Sequence, residues 1–142
     1  MRRLVVWGAG ELGGRVAALH AGPVLAFTRT ARRHDALRAV GAEPCTGSPR
    51  GALGPDDLLL LALPGTPAQS AALEALGTTL APARTVLISS TGYHADTHGV
   101  VDETADPGPG ERAQSVAALE RAFLAWAGAG GVVLRCGGLW RR

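Results

Sequence analysis

The 142-residue sequence contains no lysine, and all 14 of its basic residues are arginines. This absence excludes a Schiff base, a P-loop lysine and a general acid assisted by lysine. Cysteine is also scarce: Cys45 and Cys136 are far apart and form no metal-ligand cluster, which favours a reduced, cytoplasmic compartment. A formal net charge of +2 gives no electrostatic case for nucleic-acid binding. No apolar run is long enough to cross a membrane, so no membrane partner is expected.

What is present begins with a glycine motif directly after a short apolar run. The run from Leu4 to Trp7 is followed by Gly8-Ala9-Gly10-Glu11-Leu12-Gly13, which has the pattern G-x-G-x-x-G, and then by apolar residues at helical spacing. The first glycine permits a tight turn, the second lets backbone approach a diphosphate, and the third lets the helix pack close to the sheet. N–H groups at the helix start favour negative charge. Because it joins a strand to a helix, the motif predicts dinucleotide binding through Gly8, Gly10, Glu11, Leu12 and Gly13.

Short apolar runs alternate with helical patterns along the rest of the chain. The predicted strands are 4–7, 24–28, 42–45, 58–63, 85–89 and 132–136, and the predicted helices are 11–20, 31–40, 67–76 and 112–127. Thr66 is the expected N-cap of the third helix, and residues 92–110 are expected to form a long polar loop. The alternation predicts an α/β fold over residues 1–142: a Rossmann-type doubly wound parallel sheet of about six strands, three-layer αβα, in the order 3-2-1-4-5-6.

In such a sheet, ligands bind outside the carboxyl ends of the strands. Thr28 ends the second predicted strand and Arg29 follows it, at the place where NAD-preferring folds carry an acidic residue. An arginine there suits the 2′-phosphate of NADP, so NADP is the predicted cofactor and NAD the alternative. Leu63 and Pro64 belong to the turn at the end of the fourth strand, which would pass the backbone beneath the cofactor.

The fifth predicted strand ends in a hydroxyl-rich segment that begins Ser89-Ser90-Thr91. These hydroxyls could hydrogen-bond the nicotinamide ribose or a substrate carbonyl, although serine and threonine also commonly end strands and begin turns. The loop that follows carries His94, Asp96, His98 and Asp102, but it lacks the fixed face that a zinc site requires, so no metal site is expected.

Five segments together resemble the extended short-chain dehydrogenase/reductase superfamily, and more narrowly its atypical NAD-dependent epimerase/dehydratase-like members. The resemblance covers almost the whole chain and rests on G-A-G-E-L-G at 8–13, L-A-L-P-G at 61–65, I-S-S-T-G-Y-H at 88–94, V-V-D-E-T at 100–104 and L-R-C-G-G-L-W at 134–140. It implies that Ser90, with Thr91 beside it, orients the carbonyl of a small carbonyl or sugar-nucleotide substrate. Tyr93 or His94 would supply the proton.

The sequence also departs from that family. Its members carry a Tyr-x-x-x-Lys pair on the helix at 112–127, but counting back from Glu120 places Arg112 in the tyrosine position and Val116 in the lysine position. The chain stops soon after its sixth strand, so the substrate domain is expected to be absent or truncated.

The predicted function is therefore that of an NAD(P)-binding protein of the epimerase/dehydratase or oxidoreductase type. A non-catalytic dinucleotide-binding or redox-sensing module is the alternative. A weaker third interpretation is the N-terminal domain of a hydroxyacid- or pyrroline-carboxylate-type dehydrogenase, suggested by L-A-L-P-G.

A homodimer is predicted as well. The sixth strand would leave a sheet edge and apolar surface without cover from the chain itself. Ala118, Ala122 and Ala125 would leave one face of their helix open to close contact, and the resemblance points to pairing through helices in this region.

Overall fold

In the computed structural model, which describes residues 1–138, six strands form one parallel sheet in the order β3-β2-β1-β4-β5-β6. The strands are β1 (Leu4–Trp7), β2 (Val24–Thr28), β3 (Glu43–Thr46), β4 (Leu58–Leu61), β5 (Arg84–Ser90) and β6 (Gly131–Cys136). Every neighbouring pair is parallel. The predicted fold class and the strand order 3-2-1-4-5-6 are confirmed. Leu139 and Trp140, which end the last segment of the family resemblance, lie outside the described residues.

Four α-helices connect the strands: α1 (Glu11–Leu19), α2 (His34–Ala39), α3 (Thr66–Leu76) and α4 (Glu111–Ala127). Short 3₁₀ turns occupy Ala31–Arg33, Thr91–His94 and Gly128–Gly130. Within residues 1–138, no helix has both the length and the apolar character needed to span a membrane.

The sheet has a separate apolar core on each face, because successive residues of a strand point to opposite sides. Val5, Leu59 and Leu87 belong to the core that Phe123 of α4 and Leu76 of α3 complete, and all five side chains are almost fully buried. The other core holds their strand neighbours, among them Val6 and Leu60, with Ala17 of α1 and Leu37 of α2. This arrangement gives the predicted three αβα layers and leaves the carboxyl ends of the strands free to form a site.

Several predicted boundaries were wrong by one to three residues. The strand predicted over 58–63 ends at Leu61, and β3 begins and ends one residue later than predicted. The helix predicted over 31–40 is a 3₁₀ turn followed by two turns of α-helix, and the loop predicted over 92–110 starts inside another 3₁₀ turn. Terminal residues are the least fixed part of any element, so such shifts leave the topology unchanged.

The start of α3 differs from the prediction in a way that affects the site. Gly65, at a φ of +80°, is the N-cap, and Thr66 is already helical. The side chain of Gln69 does not return to the N-cap as it would in a capping box. Its Nε2 instead donates to the carbonyl oxygens of Leu63 (3.1 Å) and Ile88 (2.6 Å), which ties the ends of β4 and β5 to α3.

Candidate functional site

The glycine loop is held tightly between β1, β2 and β4. The backbone N–H groups of Gly8 and Ala9 both donate to the Phe27 carbonyl oxygen, at 3.1 and 3.2 Å. Gly8 has a φ of +95°, and a Cβ placed on it would lie 2.6 Å from the Ala62 carbonyl carbon. A Cβ on Gly13 would lie 2.5 Å from the Gly8 carbonyl oxygen, because α1 packs directly against the turn. Only glycine fits at these two positions.

Gly10 has a different environment, since a Cβ placed there would meet nothing within 4 Å. It is the N-cap of α1 and is exposed, so that the first turn of the helix opens onto free space. Glu11 follows it and forms an ion pair with Arg15 at 3.0 Å. The loop therefore has one closed side, which packs on the sheet, and one open side at the start of a helix.

That open side borders a cleft of about 530 Å³ at the carboxyl ends of β1, β2 and β4, here called the glycine-loop cleft. It brings together three segments that the sequence predicts to bind the cofactor: the glycine loop, the exit of β2, and the turn after β4. The lining residues include Gly8, Gly10, Glu11, Thr28, Arg29, Leu63 and Pro64. Leu12, which the sequence also predicts to bind the cofactor, is not one of the described residues that line this cleft.

The exit of β2 is fixed by hydrogen bonds of Thr28. Its Oγ1 lies 2.8 Å from the Thr30 carbonyl oxygen and 2.9 Å from Nε2 of His34. Arg29 is exposed and lines the glycine-loop cleft together with Arg32 and Arg33. The β2 side of this cleft is consequently basic.

A second cleft, of about 390 Å³, lies where the end of β5 meets the starts of α3 and α4, and is here called the serine cleft. Leu63 lines both clefts, so the two are neighbours along the same edge of the sheet. Ser90 lines the serine cleft, and its Oγ accepts a hydrogen bond from the Gly92 N–H at 3.0 Å. Arg112 and Val116, which the sequence resemblance aligns with a tyrosine and a lysine, also line it.

Ser89 also borders the serine cleft, but its hydroxyl is bonded to a buried carboxylate. Its Oγ donates to Oε1 of Glu120 at 2.5 Å, and both residues are buried. Arg135 of β6 donates to the same carboxylate through Nε and Nη2, with its Nη2 at 2.8 Å from Oε2. The hydrogen bonds to Glu120 raise the pKa of Arg135 and outweigh burial, which acts in the opposite direction. The predicted role of Ser89 in cofactor binding stays a prediction.

Tyr93 and His94 lie against Arg135. The guanidinium carbon of Arg135 is 3.4 Å from the centre of the Tyr93 ring, and its Nη1 is 3.4 Å from Nε2 of His94. Neither residue is among the described residues lining the two clefts. Thr91 begins the same 3₁₀ turn and is exposed. The structure thus brings Ser90 to a cleft and places Tyr93 and His94 in a separate cluster, so their role as proton donors stays a prediction.

Sequence reasoning missed Arg135, and it assigned Gln69 only to the start of the third helix, three residues after the expected N-cap. The contact of Gln69 with Ile88 spans 19 residues of sequence and that of Arg135 with Glu120 spans 15, so no local pattern indicates either contact. Within residues 1–138, no group of three or more His, Cys, Asp and Glu side chains is arranged to hold a metal ion.

No protein-family model and no curated protein matches this sequence. Solved structures do match. UDP-glucuronic acid 4-epimerase from Bacillus cereus, in complex with NAD, aligns with a TM-score of 0.71 and 16% identity over 96% of this chain and 57% of that one. An imine reductase from Streptomyces aurantiacus gives 0.61 and 26% over 93% of this chain and 40% of that one. An anaerobillin reductase from Escherichia coli O157:H7 gives 0.61 and 23% over 97% and 74%.

This chain therefore spans little more than half the length of the epimerase. At these identities the likenesses show the Rossmann-type fold that the chain shares with epimerases and reductases. The narrower resemblance to atypical extended short-chain dehydrogenases stays a prediction.

Proposed function

We propose that residues 1–142 form a nicotinamide-dinucleotide-binding domain of the extended short-chain dehydrogenase type, with NADP preferred over NAD. The observation that carries the proposal is the glycine-loop cleft, where the open side of Gly10 and three arginines face one space of about 530 Å³. Such a volume lies within the range of small-molecule sites. The bound NAD of the Bacillus cereus epimerase, which has the same fold, supports this class of cofactor.

The residues present fit the diphosphate and the 2′-phosphate of the cofactor. The diphosphate would lie over Gly10, where no Cβ intrudes and the N–H groups at the start of α1 favour negative charge. Arg29, with Arg32 and Arg33 nearby, would hold the 2′-phosphate by charge-assisted hydrogen bonds. Leu63 and Pro64 would pass beneath the cofactor toward the serine cleft. When bound, NADP supplies the capacity for hydride transfer.

Calorimetric titration of NADP and NAD tests the preference. A hydrogen bond to a charged group contributes about 1.5–3 kcal/mol, so NADP should bind about tenfold or more tightly than NAD. Arg29→Ala should remove most of this difference while leaving NAD binding unchanged. Arg50→Ala is the control, because Arg50 is exposed and is not among the described residues lining the glycine-loop cleft. Equal affinities of the wild-type protein for the two cofactors would refute the preference.

For catalysis, the proposal assigns Ser90 to orient the carbonyl of a small carbonyl or sugar-nucleotide substrate, with Thr91 beside it. The position of Ser90 in the cleft next to the proposed cofactor supports this role. Tyr93 and His94 are the proposed sources of the proton, although reaching a substrate in the serine cleft would require them to leave Arg135.

A non-catalytic dinucleotide-binding or redox-sensing module is the second candidate, and Arg112 favours it. A guanidinium remains protonated in proteins, so an arginine in the family's tyrosine position cannot donate a proton to a substrate oxygen. The lysine position is taken by Val116, which is only 4% exposed. Oxidation of NADPH across a panel of aldehydes, ketones and 2-oxo acids separates the two candidates, because a sensing module binds NADPH without turnover.

We also propose that the protein is a cytoplasmic homodimer. Ala118 and Ala122 line a groove of about 780 Å³ between α3 and α4, and β6 pairs with β5 alone among the described strands. Leu124 and Leu134 are 45% and 47% exposed near that edge. A second copy packed on the two outer helices would cover part of this surface, which supports the assignment.

A further inference from the structure

We propose that the serine cleft binds a substrate that carries a carboxylate next to a carbonyl, with Arg112 holding the carboxylate. The inference deepens the proposed function and rests on it, because the cleft is a substrate site only if the neighbouring glycine-loop cleft holds the dinucleotide. It commits to a 2-oxo acid as the class of substrate.

Arg112 and Ser90 approach the same point in space, above Gly92. A Cβ built on Gly92 would lie 3.1 Å from Nε of Arg112 and 3.2 Å from Oγ of Ser90. The Arg112 Nη2 would be 3.5 Å from the same Cβ. The guanidinium and the hydroxyl therefore converge on one point above Gly92, and the guanidinium packs over that residue because glycine has no side chain.

Arg112 is available to a ligand. Four other arginines, Arg3, Arg15, Arg38 and Arg135, form ion pairs with acidic side chains. Arg112, in contrast, makes no ion pair within 4.0 Å to any residue of 1–138. It is also the only charged side chain among the described residues that line the serine cleft.

Some other polar side chains of the cleft already use their hydrogen-bond donors within the protein, and others keep a donor for a ligand. Gln69 donates to two carbonyl oxygens, and the Ser89 hydroxyl donates to Glu120. Ser90 only accepts, from the Gly92 N–H, so its own hydroxyl hydrogen can be donated to a ligand. Arg112 and Ser90 are thus two adjacent donors.

A 2-oxo acid matches that pair. A guanidinium holds a planar carboxylate through two parallel hydrogen bonds, and the Ser90 hydroxyl can donate to the adjacent carbonyl oxygen. The volume of about 390 Å³ is near the lower end of the range of about 300–1,000 Å³ for small-molecule sites, which favours a small acid over a sugar nucleotide. Because arginine keeps its charge throughout the working pH range, its role here is to bind and orient the substrate.

The test is calorimetric titration of pyruvate and of its neutral analogue pyruvamide, with inorganic phosphate as a competitor. Each titration is run on the free protein and on protein saturated with NADP. The variants are Arg112→Gln, which removes the charge, and Gly92→Ala, whose methyl group would displace the flexible guanidinium from the space above residue 92. Arg121→Gln is the control, because Arg121 is an exposed arginine on the same helix.

Pyruvate should bind to the wild-type protein and to Arg121→Gln, and at least tenfold more weakly to Arg112→Gln and Gly92→Ala. NADP affinity should be the same in all four proteins, which shows that each is folded. Pyruvamide should bind at least tenfold more weakly than pyruvate to the wild-type protein. Three results would overturn the inference: no detectable pyruvate binding to the wild type, unchanged pyruvate affinity in Arg112→Gln, or equal affinities for pyruvamide and pyruvate. If phosphate competes for the site as well as pyruvate binds to it, the choice of a carboxylate ligand is overturned. If NADP fails to bind while pyruvate binds through Arg112, the proposed function falls and the anion site stands.

Discussion

Replacing Arg135 by methionine should destabilise the protein severely, because it leaves a carboxylate buried without its counter-ion. Glu120 is only 4% exposed, and it accepts hydrogen bonds from two nitrogens of Arg135 and from Ser89. In Arg135→Met, the Ser89 hydroxyl is the one donor left to it among the side chains that bond to it in the described structure. Removing one partner of a buried ion pair costs about 3–5 kcal/mol. That is a large part of the 5–15 kcal/mol by which a typical domain is stable.

A double variant separates the loss of the ion pair from the loss of packing. In Glu120→Gln/Arg135→Met the buried group is neutral, and the glutamine oxygen can still accept from Ser89. We expect the double variant to be more stable than Arg135→Met by about 1–3 kcal/mol, the cost of leaving a buried polar group without its partner. Urea denaturation at pH 7, followed by tryptophan fluorescence, gives the free energy of unfolding of each protein.

Arg38→Met is the matched control, since Arg38 pairs with Asp35 at an exposed site where the side chains are 60% and 101% exposed. An exposed pair contributes about 0.2–1 kcal/mol at most. The reasoning would be refuted if Arg135→Met lost no more stability than Arg38→Met. It would also be refuted if the double variant were less stable than Arg135→Met.

Two further predictions concern acid stability and association. Burial raises the pKa of Asp57, but hydrogen bonds from Arg3 and the Gly54 N–H outweigh it and lower the pKa below the ordinary value. The Asp57 carboxylate therefore stabilises the fold fully above the unfolded pKa of about 3.9, and this stabilisation is lost as the pH falls through the lower folded pKa. In urea denaturation, Asp57→Asn should be clearly less stable than the wild type at pH 7, and the difference should be much smaller near pH 2. Light scattering at tens of micromolar should give twice the 14.5 kDa chain mass, and Ala122→Glu on the outer face of α4 should give a monomer. A wild-type species of 14.5 kDa would rule out the dimer.

The fold could be predicted because its signals are local. The apolar run from Leu58, the glycine turn after Trp7 and the helical spacing of Val116, Leu119 and Phe123 each specify an element within a few residues. Alternation of strands and helices then leaves few topologies, since crossovers between parallel strands are right-handed. The start of α3 was predicted wrongly for a physical reason. The capping pattern requires the Gln69 side chain to bond back to the helix start, whereas its amide donates to the carbonyl oxygens of Leu63 and Ile88.

The candidate site could be predicted in part. The glycine loop, Arg29 and Leu63 meet in one cleft because the carboxyl ends of parallel strands share an edge, a consequence of topology alone. The orientation of side chains at the end of β5 could not be obtained in this way. Which hydroxyl faces the cleft depends on Glu120 and Arg135, which are 31 and 46 residues from Ser89 in sequence. Arg135 also contacts Tyr93 and His94, and no local sequence pattern indicates that this arginine binds both side chains.

NADP affinity, measured by calorimetry for the wild-type protein and for Gly10→Val, tests whether the cofactor binds in the glycine-loop cleft. A Cβ at Gly10 meets no atom of the surrounding residues within 4 Å, so valine there should leave the fold intact by circular dichroism and intrude on the space where the diphosphate would lie. Gly14→Ala is the control, because Gly14 lies on the same helix and a Cβ there would make only ordinary van der Waals contacts, 3.5 Å from Nη2 of Arg33 and 4.0 Å from Leu37. We expect one saturable NADP site in the wild-type protein and in Gly14→Ala, and no measurable binding to a folded Gly10→Val. NADP affinity that is absent from the wild type, or unchanged in Gly10→Val, would refute the proposed cofactor site.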